Sequence, residues 1–235
     1  MQFLELAVPR TARYYALGDE SGRAPRQVWF CLHAHGQPVA ELARQLAPLA
    51  EAGPLLLLPE GLSRHALPPP AQASLADGVP ALAPQTGAAW FAPDSLLPDL
   101  ADLTGYLDLL AAAVLARCPP DPIVTVLGFG EGAAAACRWL AGGRQPYARL
   151  VLYDPVFPPD IDRRAELVSL PERPVLVLQT QAAQTAFTTP DPAGRALLAD
   201  LEQVGLRAEW RPVAADWPLG AALRPLLEFN SGGQV

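Results

Sequence analysis

The stretch Pro122-Ile123-Val124-Thr125-Val126-Leu127, followed by Gly128-Phe129-Gly130-Glu131-Gly132 and then Ala133-Ala134-Ala135-Ala136, decides how this chain is read. The first run is apolar and rich in β-branched residues, the pattern of a buried strand, and the alanines continue as a helix. Glycines at alternate positions between them mark a sharp turn between strand and helix. Gly130 stands at the tip and has no side chain to present. The histidines complete the observation, because His33, His35 and His65 all lie before this turn and none follows it.

Working outward, the chain alternates strands and helices. Phe3 to Tyr15 alternates loosely, reaches the turn Gly18 to Gly22, and reads with the next strand as an edge hairpin. Gln27 to Leu32 is a short buried strand ending at His33-Ala34-His35-Gly36. Val39, Leu42, Leu46 and Leu49 repeat at helical spacing until Gly53-Pro54 and a second buried strand, Leu55 to Leu58. Residues 60–95 read as a long irregular segment, a lid or pocket wall. A helix follows, with Leu100, Leu103, Leu107, Leu110 and Val114 on one face, capped by Asp94 or Ser95 and ended by Cys118-Pro119-Pro120.

After the turn come a helix (131–140), a strand (149–153), the turn Asp154-Pro155, a strand (174–178), a helix (191–204) closed by Gly205, a strand (207–213) and a helix (219–229) that Pro225 kinks or delays. The expected fold class is α/β: a mostly parallel twisted sheet with an N-terminal edge hairpin and helices on both faces. Residues 1–229 form one domain on this reading, and 230–235 a frayed tail.

Composition narrows the function. The 235 residues are 51% hydrophobic and carry a net charge of −7, which suits one core-forming domain and disfavours nucleic acid or anionic membranes as partners. No segment is apolar enough over a sufficient length to span a bilayer, and the N-terminus lacks the basic and apolar regions of a leader, so a cytoplasmic location is expected. Cys31, Cys118 and Cys137 are widely spaced and read as reduced thiols in or near the core, with no metal or other cofactor implied. All 17 basic residues are arginine. That excludes Schiff-base, Ser-Lys and P-loop lysine chemistry.

The pattern resembles the esterase branch of the α/β-hydrolases that includes phospholipase/carboxylesterases and acyl-protein thioesterases. The resemblance is carried in order by Arg10 to Tyr15, by Leu32-His33-Ala34-His35-Gly36-Gln37 as an oxyanion loop, by Pro59 to Arg64, by Gly87 to Trp90, by the turn at Gly130 as a nucleophile elbow, and by Phe157 to Asp160. It implies a nucleophile at Gly130, an acid in the loop 179–187 and a histidine after the strand ending at Val213. The sequence offers glycine at the first, Gln184 or Thr185 at the second, and Asp216 beside Trp217 at the third. Removing the serine of such a triad costs about a millionfold in kcat.

Substitutes are conceivable on the sequence alone. Ser63, Ser95 or Cys137 would have to supply a nucleophile, and His33, His35 or Glu131 would have to direct water. The plainer readings are hydrogen bonding within the loop for His33 and His35, and a helix first-turn carboxylate for Glu131. The amide of Glu131 and one from His33, Ala34, His35 or Gly36 would form the oxyanion hole. Trp90 and Trp217 read as core or pocket wall, and Arg64 and His65 as contacts for an anionic ligand or as solvated surface. The expectation is therefore a degenerate hydrolase that binds a small acyl or ester-like ligand, or a partner, without triad catalysis. The alternative is a hydrolase of small carboxylic esters or thioesters working through a water-activating site. A structural role as a homodimer is a third.

Overall fold

The computed structural model describes residues 6, 8–18, 24–67, 86–92, 96–142, 144–181, 191–215 and 218–228. Its strands are β1 (Tyr14–Leu17), β2 (Gln27–Leu32), β3 (Leu55–Pro59), β4 (Ser63–Ala66), β5 (Thr86–Ala89), β6 (Ile123–Phe129), β7 (Arg149–Tyr153), β8 (Val175–Gln181) and β9 (Ala208–Ala214). Seven of them form one sheet in the order β1-β3-β2-β6-β7-β8-β9. All neighbours run parallel except β1, which is antiparallel to β3. Pro212 falls within β9, the outermost strand, where a missing N–H disrupts least.

The N-terminal strand is at the edge, as the sequence suggests, but it forms no hairpin with β2. Its partner is β3, with Tyr14 opposite Pro59 and Leu17 opposite Leu56. Burial explains the difference. Val28 to Leu32 are fully buried and need a parallel neighbour on each side, whereas Tyr14 and Tyr15 are exposed and suit the rim. The segment 60–95 is also less irregular than its composition implies, because β4 and β5 pair as a small antiparallel hairpin, Ser63 opposite Ala89 and His65 opposite Gly87. The polar run Ser-Arg-His hides β4 from any hydrophobic alternation. Residues 68–85, with the proline triplet, and Asp94 and Ser95 lie outside the described residues.

Helices cover both faces: α1 (Val39–Ala50), α2 (Leu96–Leu115), α3 (Gly132–Ala141), α4 (Arg163–Val168), α5 (Pro192–Gln203) and α6 (Leu219–Leu223). Side chains alternate along β2, so Val28, Phe30 and Leu32 join a core with Leu103, Trp139 and Leu197 from α2, α3 and α5. Trp29 and Cys31 join the opposite core with Leu42 and Leu46 from α1 and Leu223 from α6. The short α4 was not foreseeable from periodicity; its signal is Asp162, which accepts hydrogen bonds from the Arg164 and Ala165 amides. At Pro225 the last helix does not kink but tightens, into a 3-10 turn over Arg224–Glu228.

The site is positioned by where the winding reverses. β2 and β6 are neighbours, yet α1 leaves β2 toward one face and α3 leaves β6 toward the other. Such a switch point opens a crevice at the carboxyl ends of the two strands.

Candidate functional site

Two loops meet at that crevice: 33–38 after β2 and Gly130-Glu131 after β6. Gly130 has φ +57, in the left-handed region that disfavours side chains. Its amide donates to the Tyr153 carbonyl at 2.9 Å, and its own carbonyl accepts from the Val156 amide at 2.9 Å and the Ala133 amide at 3.1 Å. The turn is thus held from β7 and from α3 at once. Gly132 is required by close approach, since a Cβ there would fall against the Leu32 carbonyl. A Cβ on Gly130 would stand 2.9 Å from Ala34 Cβ and 3.4 Å from Ala34 Cα. Ala34 thus occupies part of the space that a side chain at position 130 would need.

His33 and His35, two residues apart, have opposite surroundings. His33 is fully buried, its ring stacked on Trp90 with centroids 4.7 Å apart. Nε2 lies 2.9 Å from the Gly61 amide and must accept from it, which leaves Nδ1–H to donate to the Ala34 carbonyl at 2.7 Å. Burial pulls its pKa from 6.5 down to about 4, against the Ala34 hydrogen bond and assisted by His35. Trp90, nearly buried, donates its indole N–H to the His33 carbonyl at 2.7 Å. His33 is therefore a neutral structural pin with both nitrogens engaged, not a base for water, and Trp90 belongs to the core rather than to a ligand surface.

His35 is 62% exposed, and its Nδ1 lies 3.0 Å from Oε2 of Glu131, whose side chain is 12% exposed. The His65 ring from β4 stacks against it at 5.9 Å. Sequence reasoning named Glu131, His35 and His65 separately; the fold brings them together. With Nδ1–H donated to the Glu131 carboxylate, the imidazole is oriented by a carboxylate. Arg64 does not join them, since its Nε is 3.1 Å from Glu60 Oε2.

The 33–38 loop is partly committed. The Ala34 amide donates to Gln37 Oε1 at 3.0 Å and the Gly36 amide to the Ala88 carbonyl at 2.8 Å. The amides of His35 and Glu131 have no hydrogen-bond partner among the described residues.

Of the three substitute nucleophiles, Cys137 is withdrawn into the core and Ser95 lies outside the described residues. Cys137 is fully buried in α3, its thiol pushed up to about 12 by burial and, secondarily, by Glu166. Ser63 is a β4 residue paired with Ala89. Gln184, Thr185, Asp216 and Trp217 lie outside the described residues. The next described carboxylate after β8, Asp191, is spent as the cap of α5, accepting from the Gly194 amide at 2.6 Å and from Gln179 Nε2 at 2.9 Å. Those two bonds hold its pKa below the usual value, the Gly194 amide foremost.

One carboxylate at the crevice was missed. Asp154 follows β7 directly beside the Gly130 turn with φ +43, and its two oxygens accept from the Thr180 amide and hydroxyl, each at 2.7 Å. Asp154-Pro155 reads only as a turn in the sequence. The strained backbone, which links the ends of β7 and β8, has no sequence signal beyond an Asp that tolerates it.

Among the described residues no group of three His, Cys, Asp or Glu is placed to hold a metal ion, and no helix is long and apolar enough to cross a membrane.

The sheet order, the switch point and the glycine turn define an α/β-hydrolase fold. Among solved structures the chain is similar to esterase PE8, at TM-score 0.62 and 16% identity, over 93% of this chain and 98% of that one. It is similar to a carboxylesterase from Mesorhizobium loti at TM-score 0.60 and 19% identity, over 93% and 95%. A phospholipase/carboxylesterase from Dyadobacter fermentans superposes at TM-score 0.55 and 13% identity, over 93% and 97%. No family model and no curated protein matches the sequence.

Proposed function

We propose that this chain is a hydrolase-fold protein without triad catalysis, one that binds a small acyl or ester-like ligand at the crevice between the 33–38 loop and Gly130. The observation that carries the reading is the contact at the turn: the tip residue is glycine, and Ala34 Cβ stands 2.9 Å from where its side chain would begin. A nucleophile is missing, and Ala34 takes part of the space its side chain would need. The spent Asp191 and the locked His33 support the same conclusion. The esterase and carboxylesterase names of similar structures motivate the ligand class. The test is steady-state turnover of p-nitrophenyl acetate, butyrate and hexanoate, with ligand contact read by saturation-transfer NMR. The expected result is saturable contact with no release above buffer.

A second reading has its own observation, the 3.0 Å pair of His35 and Glu131. Here His35 Nε2 would take a proton from water as the hydroxide adds to the acyl carbon, then return it to the leaving alcohol. Glu131 would hold the imidazolium formed in between. Release above buffer that His35→Ala abolishes would establish this reading and overturn the first.

A further inference from the structure

At the amino ends of the strands, about 20 Å along β6 from the turn, lies a cavity of about 340 Å³. It sits between the sheet and the 3-10 turn at Arg224–Glu228, on the face of the sheet that α1 and α6 cover. Its walls include Ile123, Pro174, Leu176 and Leu226. The charged residues that line it are Arg149, Arg207, Arg211 and Glu209. In a chain of net charge −7, this is a local reversal of sign.

The arginines are arranged rather than scattered. Arg149 opens β7 opposite Thr125, and its Nη2 donates to the Leu226 carbonyl at 2.9 Å and to Thr125 Oγ1 at 3.3 Å. Its guanidinium lies 5.6 Å from the centroid of the Trp29 ring. That fixes a cation at the back of the cavity at little further entropic cost. Burial first, and the nearby Arg211 second, press the Arg149 pKa down. Arg211 is paired with Glu209 through Nε and Nη2 at 2.6 and 3.0 Å, and Arg207 is exposed at the rim. A volume near the lower end of ordinary ligand pockets, apolar walls and an excess of guanidiniums suit one kind of occupant.

We infer that this cavity binds a free medium-chain carboxylate, its apolar tail against Leu176 and Leu226 and its carboxylate toward Arg149 and Arg207. This site is independent of the crevice at Gly130 and does not rest on the function proposed for it.

Calorimetric titration of the intact protein with octanoate, octanol and inorganic phosphate tests the assignment, because octanol has a comparable tail without the charge and phosphate the charge without the tail. Octanoate is expected to bind one-to-one, at least about tenfold tighter than either. The double variant Arg207→Gln/Arg211→Gln, both at the exposed rim, should weaken octanoate about tenfold and leave octanol unchanged. Equal affinity for octanoate and octanol, absence of saturable binding, or octanoate affinity untouched by the double variant would each overturn the proposal. If His35→Ala removes octanoate binding and the arginine variant does not, the ligand belongs to the crevice at Gly130. The amino-end site is then rejected while the reading of the crevice stands.

Discussion

The two ends of the central sheet use their polar groups differently. At the carboxyl end, polar atoms near the turn hold other parts of the chain: His33 ties Gly61 and Ala34, Asp154 ties Thr180, and Asp191 caps α5. At the amino end, Arg149, Arg207 and Arg211 converge on an apolar cavity. Several polar groups at the carboxyl end are thus committed to partners within the chain, and an arginine-lined cavity lies at the opposite pole. An exception at the carboxyl end is the exposed His35 with Glu131 behind it.

The largest effect that sharpens this contrast is expected from Trp90→Ala. Trp90 is nearly buried, stacks on His33 and bonds its carbonyl, so its loss should cost about 3–5 kcal/mol in urea unfolding. A cost below about 1 kcal/mol would mean that the carboxyl end is not held together as described.

Acidification comes next. His33 titrates at about 4 in the folded chain against 6.5 ordinarily. As pH falls through 6.5 the unfolded chain takes up a proton that the folded chain refuses. The His33 contribution is therefore complete above 6.5, declines between 6.5 and 4, and levels off below, a loss of roughly 3 kcal/mol. Unfolding free energies measured across this window should show the decline in the native protein, and His33→Gln should flatten it. An unchanged slope in that variant would remove His33 from the account.

Gly130→Ser should follow, destabilising by about 1–2 kcal/mol through its left-handed backbone and the contact with Ala34. It should restore no ester turnover, and a raised Tm would contradict the strain assigned to this turn. The smallest effect belongs to the amino end. Arg207→Gln/Arg211→Gln breaks only an exposed pair, so the ligand-free protein should change by less than about 0.5 kcal/mol.

Much of this architecture is legible in the sequence where one physical signal dominates. The buried strand 123–129 and the turn at Gly130 stand out because an apolar run meets three glycines, and α1 because Val39, Leu42, Leu46 and Leu49 repeat at helical spacing. Strand partners are not local properties, so the β1–β3 pairing is invisible until burial is known. The hairpin β4–β5 escapes because Ser63-Arg64-His65 carries no apolar alternation. At the site, the glycine and the three histidines can be read directly. What cannot be read is which histidine is buried: His33 and His35 differ only by the fold's choice of an inward and an outward position. The cavity at the amino end is built from residues spread between 123 and 226 and has no motif.

On the proposed reading, nothing at the Gly130 turn forms a covalent acyl intermediate. Intact-protein mass spectrometry after treatment with a fluorophosphonate, and separately after rapid mixing with p-nitrophenyl acetate, tests it most directly. The expected outcome is an unmodified mass in both cases and no burst of p-nitrophenol. A stoichiometric adduct on any side chain beside Gly130 would contradict it.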